Sequence, residues 1–201
     1  MTQPRLWILA GPNGSGKSTY FEQRLKDHFE TFINADAIAK EAGSIVTNES
    51  TWNAKLTADA QRNSLLESSA SFCTETVFSH PSWIEFIRKA KQLSYEVILI
   101  FICLDDPALN AARVQQRVSQ GGHDVPADRI GPRYQRSIAY CTQAIPLADE
   151  VWLLDNTLPE HPFTAIARFV QGQLIELAPG LIPCWVRVGF SIYLAPRGKP
   201  L

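Results

Sequence analysis

Apolar residues gather in this chain into short runs separated by longer amphipathic stretches. The runs Arg5–Ala10, Thr31–Asn34, Phe72–Val77, Val97–Leu104 and Val151–Leu154 have the length of strands. Val97-Ile98-Leu99-Ile100-Phe101-Ile102 carries no polar residue, the mark of a strand covered on both faces. Helical spacing predicts helices over 17–29, 49–70, 82–93, 107–120, 131–146 and 163–172. In the second of these, Trp52, Leu56, Ala60 and Leu65–Leu66 form one apolar stripe. Strands that alternate with helices predict an α/β fold, a parallel sheet flanked by helices.

Composition narrows this picture. A length of 201 residues suits one domain, and a hydrophobic fraction of 45% is enough for a core. We take residues 1–176 as that domain and 177–201 as a tail of separate character. The tail has no acidic residue; Arg187, Arg197 and Lys199 make it basic, and Trp185, Phe190 and Tyr193 make it adhesive. It reads as an added edge strand, a partner surface, or a segment packed on the domain. The formal net charge of −1 supplies no global positive field, which argues against nucleic acid as a partner. Cys73, Cys103, Cys141 and Cys184 form no C-x-x-C pair, and the first two lie within apolar runs. Together with an amino terminus that runs directly into a strand, this predicts a cytoplasmic protein with no signal peptide. No apolar run approaches the ~20 residues of a membrane span, so no membrane partner is expected.

The densest chemistry lies at residues 11–19, Gly11-Pro12-Asn13-Gly14-Ser15-Gly16-Lys17-Ser18-Thr19. This matches the phosphate-binding loop G-x-x-x-x-G-K-[ST], and it lies between a predicted strand and a predicted helix, as that loop requires. Its backbone N–H groups and the following helix start converge on one point and favour an anion. The pattern assigns Lys17 to the β- and γ-phosphates of a nucleotide and the Ser18 hydroxyl to Mg²⁺.

Other candidates lie at the predicted carboxyl ends of strands, where α/β sheets hold their ligands. Asp36 ends Phe32-Ile33-Asn34-Ala35-Asp36 and has two readings: a base for the attacking hydroxyl of an acceptor, or the cap of a helix that begins at Ala37. Glu75 interrupts an apolar strand beside Thr76, and a carboxylate there is costly unless it is used. It reads as a ligand for substrate hydroxyls, a holder of Mg²⁺ through water, or an outward residue. Asp105-Asp106-Pro107 imitates a metal motif but matches an ordinary helix start better. Asp155-Asn156-Thr157 reads as lying near a nucleotide base or as capping. Five arginines, Arg113, Arg117, Arg129, Arg133 and Arg136, flank a Gly-rich loop at 120–126. Two arginine-bearing helices joined by such a loop predict a lid over phosphates, approximately 113–137.

The set GPNGSGKST (11–19), FINAD (32–36), ETVFS (75–79), RVQQRVSQGGHDVP (113–126), RYQRS (133–137) and ADEVWLLDN (148–156) resembles the zeta-toxin-like kinases, and most closely their short bacterial branch. The resemblance spans about residues 5–157. It implies a P-loop NTPase fold like the nucleoside monophosphate kinases, with an Arg-rich lid. It implies ATP and Mg²⁺ as cofactors and transfer of the γ-phosphate to a hydroxyl, as those toxins do to the 3′-hydroxyl of UDP-N-acetylglucosamine. It implies Lys17 in the loop, Asp36 as base, Glu75 as substrate contact, and Arg117 and Arg133 on the phosphates, with Arg136 the rival of either. It also implies an antitoxin protein as a partner. The alternatives left open are a kinase for another hydroxyl, such as an antibiotic, sugar or nucleotide, and a nucleotide-binding switch without transfer.

Overall fold

A computed structural model describes residues 3–41, 48–120 and 125–194. In chain order the elements are β1 (Arg5–Ala10), α1 (Lys17–Tyr20), β2 (Phe32–Ile33), α2 (Ala35–Glu41), α3 (Asn48–Glu67), β3 (Phe72–Thr76), α4 (Ser82–Gln92), β4 (Glu96–Cys103), α5 (Pro107–Ser119), α6 (Ala127–Ala144), β5 (Glu150–Asp155), β6 (Thr164–Val170), β7 (Gln173–Leu177), α7 (Cys184–Gly189) and α8 (Ser191–Leu194). Helix α1 runs on through a π turn, Phe21–Leu25, and a 3₁₀ turn, Lys26–His28.

The sheet order is β2-β3-β1-β4-β5-β6-β7. The first five strands in that order are parallel, as the alternation of strands and helices predicts. Register brings Ala10 beside Thr76 and Phe101, and Cys103 beside Asp155, so the strands end along one line. Side chains then sort by strand parity. Leu6, Ile8, Phe72, Val97, Leu99, Phe101, Val151 and Leu153 enter the larger core, under α3, α4, α6 and α7. Leu9, Cys73, Ile98, Ile100, Ile102 and Leu154 form the other face, packed on Phe21 and Leu25.

Two expectations are corrected. Residues 163–172 do not form a helix: β6 pairs antiparallel with β5 and turns through Gln171-Gly172 into β7, which makes the sheet mixed. Both turn residues have positive φ, 49° and 73°, the backbone of a tight hairpin. Arg168 lies over the Trp152 ring and pairs with Glu150 and Glu176, so cross-strand contacts decide the segment. The apolar stripe of α3 is also displaced: Trp52 is 57% and Leu56 49% exposed, while Ala54, Ala58, Arg62 and Leu66 face inward. The alanines are small enough for close approach. Arg62 is accommodated by Asp59, by the Thr74 hydroxyl and by the face of Trp83.

Of the tail, Trp185, Val186 and Phe190 are buried in the larger core, while Val188 and Ile192 face outward. Residues 195–201, with Arg197 and Lys199, lie outside the described residues, as does the lid segment 121–124.

Candidate functional site

Side chains brace the loop after β1 through three of its carbonyls. Lys17 Nζ donates to the Pro12 carbonyl at 3.0 Å, Asn110 Nδ2 to that of Asn13 at 2.7 Å, and Asn156 Nδ2 to that of Ser15 at 2.9 Å. The Pro12 carbonyl also accepts from the Ser15 N–H at 3.3 Å, which closes the loop on itself. Gly11 and Gly14 are required by space: a Cβ on Gly11 would lie 2.0 Å from the Ile102 carbonyl oxygen, and one on Gly14 2.6 Å from that of Asn110. The Ser15 hydroxyl is buried and has no partner among the described residues, an unmet group inside the cradle. Pro12 and Asn13 are buried, Gly16 is half-buried at the start of α1, and Ser18 and Thr19 are exposed at the mouth.

Glu75 comes from the end of β3, beside β1. Its carboxylate accepts from Ser18 Oγ at 3.0 Å and from Asn34 Nδ2 at 2.9 Å, and it lies 3.9 Å from Lys17 Nζ. Its side chain is only 10% exposed. Burial pushes the carboxyl above the ordinary range, while the Lys17 charge and the Ser18 hydrogen bond pull the other way. Lys17 is lowered by burial, against the pull of Glu75 and Asp36. Ser18 Oγ and the Glu75 carboxylate are hard oxygen donors in contact, a set that fits Mg²⁺.

The capping reading of Asp36 is corrected, because α2 begins at Ala35 and the cap is Asn34. Its Oδ1 accepts from the backbone N–H of Asp36 at 2.8 Å and of Ala37 at 3.4 Å, so Asn34 caps α2. Asp36 is thereby left exposed in the first turn, and its charge is felt by Lys17, Glu75 and Arg133 alike. Thr76 is half-buried, and its hydroxyl oxygen accepts from the Phe78 N–H at 2.9 Å, which supports a turn where Phe78 has φ 58°.

The five arginines divide. Arg113 Nη2 donates to the Asn156 carbonyl at 3.0 Å and supports the frame. Arg117, on α5, imposes its charge on both Lys17 and Glu75. Arg133 Nη1 reaches Asn13 Oδ1 of the loop at 3.4 Å; burial and the like charges of Arg129 and Arg136 lower its pKa, and Asp36 opposes them. Arg136 Nε donates to the Ser79 carbonyl at 3.2 Å, on the segment after β3. Ser137 anchors α6 to the same segment through the Val77 carbonyl. Helix α5 thus carries Arg117, whose charge acts on Lys17 and Glu75, and α6 carries Arg133, which reaches Asn13 of the loop.

Other predicted positions have structural uses. Asp106 caps α5 through the Ala108 N–H, with Pro107 at the first helical position. Asp155 binds Thr157 and the Trp185 indole rather than standing free. Asn34 and Asn110 were not singled out by sequence reasoning. Asn34 lies inside a motif that was read for its aspartate, and Asn110, fully buried in the structure, stands between Leu109 and Ala111 with no motif around it.

A sequence model of a family described as an AAA domain matches residues 6–136. A Haemophilus influenzae protein of uncharacterised function is 29% identical over 143 residues, 67% of this chain and 100% of that protein. The AvrRxo1-ORF1:-ORF2 complex solved with ATP is similar to this chain, with a TM-score of 0.68 and 16% identity, over 98% of this chain and 65% of that one. A structure of the PezAT toxin–antitoxin system of Streptococcus pneumoniae matches with a TM-score of 0.64 and 14% identity, over 95% of this chain and 85% of that one. This chain thus spans under two thirds of the AvrRxo1-ORF1:-ORF2 chain it matches.

Proposed function

Because the chain belongs to the AAA-domain family of P-loop proteins, we propose that it is an ATP-dependent kinase that phosphorylates a hydroxyl of a small molecule, with a UDP-sugar such as UDP-N-acetylglucosamine the leading acceptor. The observation that carries this reading is the exposed carboxylate of Asp36, relieved of capping by Asn34, within electrostatic reach of Lys17, Glu75 and Arg133. A nucleotide switch has no need of a base in that position. The UDP-sugar rests on the resemblance to zeta-toxin-like kinases. A protein partner that restrains the enzyme rests on the same resemblance and on the likeness to the PezAT system.

In this mechanism the loop 11–18 holds the β- and γ-phosphates through its N–H groups. Lys17 lies against them, with the Glu75 carboxylate 3.9 Å from its Nζ and favouring the ammonium against the effect of burial. Ser18 Oγ and Glu75 would hold Mg²⁺, which would supply charge neutralisation to the phosphates. Asp36 accepts the proton of the acceptor hydroxyl as its oxygen attacks the γ-phosphorus. Arg117 and Arg133 offset charge on the equatorial oxygens, and Arg136, with Thr76, orients the acceptor at the end of β3.

Replacement of Asp36 separates transfer from binding. Asp36→Ala is expected to slow transfer about 10²–10⁴-fold with the ATP dissociation constant nearly unchanged. Equal transfer by the variant, measured as phosphorylated product per unit time, would remove Asp36 from the mechanism.

A further inference from the structure

We infer that Asn156 is a positioning residue of the phosphate loop, and that Trp185 of the carboxyl-terminal segment sets its position. Asn156 is buried, and its amide grips the Ser15 carbonyl at 2.9 Å. A Cβ on Gly16 would lie 2.5 Å from Asn156 Nδ2, so the amide packs against the loop backbone itself. Its own backbone is fixed from two sides: its N–H donates to the Cys103 carbonyl, and its carbonyl accepts from Arg113.

The preceding residue carries the link to the tail. Asp155 Oδ1 accepts from the Trp185 indole N–H at 2.8 Å and from the Thr157 hydroxyl at 2.9 Å. The same Thr157 oxygen accepts from the Asp105 N–H at 2.9 Å, and Asp105 Oδ1 accepts from the Trp185 backbone N–H at 3.1 Å. Asp105, Thr157, Asp155 and Trp185 therefore form a closed hydrogen-bonded ring at the ends of β4 and β5. Trp185 is 3% exposed and its ring lies against Phe101 and Phe190. The ring of bonds is thus anchored in the core at one end and meets the phosphate loop at the other.

A hydrogen bond of this kind contributes modestly by itself, but a partner left buried and unmet disturbs everything bonded to it. Loss of the indole N–H opens the ring and leaves the Asp155 carboxylate held by Thr157 alone, which lets the peptide between Asp155 and Asn156 move and loosens the hold on Ser15. The consequence falls on nucleotide binding and on the order of the loop, with no role for the acceptor. The inference rests on the loop as the nucleotide's phosphate site. Loop order measured without ligand keeps its outcome separate from that reading.

The test is a cycle of Asn156→Ala, Trp185→Phe and the double variant in the full chain. ATP affinity is read by calorimetry, and deuterium uptake of the 11–18 segment is read without ligand. Trp185→Phe retains most of the ring and removes the N–H. Asn156→Ala is expected to weaken ATP roughly three- to tenfold and to raise loop exchange. Trp185→Phe is expected to do both to a smaller extent, and the double variant to bind no worse than Asn156→Ala, since both act along one path. Thr157→Val breaks the same ring without touching the core and carries the same expectation if the tryptophan variant fails to fold. Val186→Ala, a buried tail residue without a polar link to the ring, is the control: it lowers the melting temperature and leaves loop exchange unchanged. Wild-type ATP affinity and loop exchange in the ring variants, losses that multiply in the double variant, or equal loop loosening by Val186→Ala would each overturn the inference.

Discussion

In the proposed mechanism Glu75 has two tasks in one buried place, beside Lys17 at 3.9 Å and beside Ser18 at 3.0 Å: to hold its lysine and to hold a metal. The replacement Glu75→Gln keeps the shape and a carbonyl oxygen for Ser18 but loses the charge. Mg²⁺-dependent transfer is expected to fall about 10–100-fold, with a matching rise in the Mg²⁺ concentration needed for half-maximal rate. Transfer titrated against Mg²⁺ measures this, and an unchanged Mg²⁺ requirement would assign Glu75 to the acceptor alone. Residues of this kind were partly legible in the sequence. Glu75 announces itself as a carboxylate in an apolar strand, and Lys17 and Ser18 belong to a motif whose parts are contiguous. Asn110 does not announce itself, and Asn156 reads only as a neighbour of a nucleotide base or a cap, because the carbonyls they hold lie 97 and 141 positions away and only the folded sheet brings them together.

Among the elements, Asp149 is the junction. Its carboxylate joins α4 through Lys91 at 2.6 Å, β4 through the Val97 N–H at 2.7 Å, and the β6–β7 turn through Gln171 at 2.9 Å. Burial alone would raise its pKa, but Lys91, the Val97 N–H and Gln171 together outweigh this and hold it below the ordinary carboxylate range. A depressed folded value means that the contribution is full at neutral pH. It is lost as pH falls through the ordinary range toward the folded value. Asp149→Ala is expected to cost about 1–3 kcal/mol at pH 7, and to flatten the acid limb of stability against pH, both read by denaturant melts. A cost that persists unchanged below the folded pKa would contradict the ionic origin. Elements were legible where their pattern is local. The parallel strands carry continuous apolar runs, and Asp106-Pro107 marks the start of α5. Strand β6 was misread because Ala165, Ala167 and Arg168 favour a helix locally, while Glu150, Trp152 and Glu176 impose the strand from across the sheet. The buried face of α3 was misread over its first turns because its inward line there is Ala54, Ala58 and Arg62 rather than Trp52 and Leu56, whereas Leu66 is buried as its stripe predicts.

For the molecule as a whole, the sheet collects along one edge what the chain scatters over a long stretch of sequence: the loop 11–18, Asp36, Glu75, Arg117, Arg133 and Asn156. Among the described residues no helix is long and apolar enough to cross a membrane. The hairpin β6–β7 and the tail complete the frame, with Trp185 and Phe190 filling the larger core beside Phe101. The proposed kinase reading gives this arrangement a use: a phosphoryl group leaves the nucleotide for an acceptor beside Asp36. The most direct measurement is mass spectrometry of small hydroxyl compounds, UDP-N-acetylglucosamine among them, after incubation with the protein, ATP and Mg²⁺. A product heavier by one phosphoryl group, formed with the wild-type chain and absent with Lys17→Ala, is the expected result. ATP binding without phosphate gain in any acceptor would contradict the kinase and leave a nucleotide switch in its place.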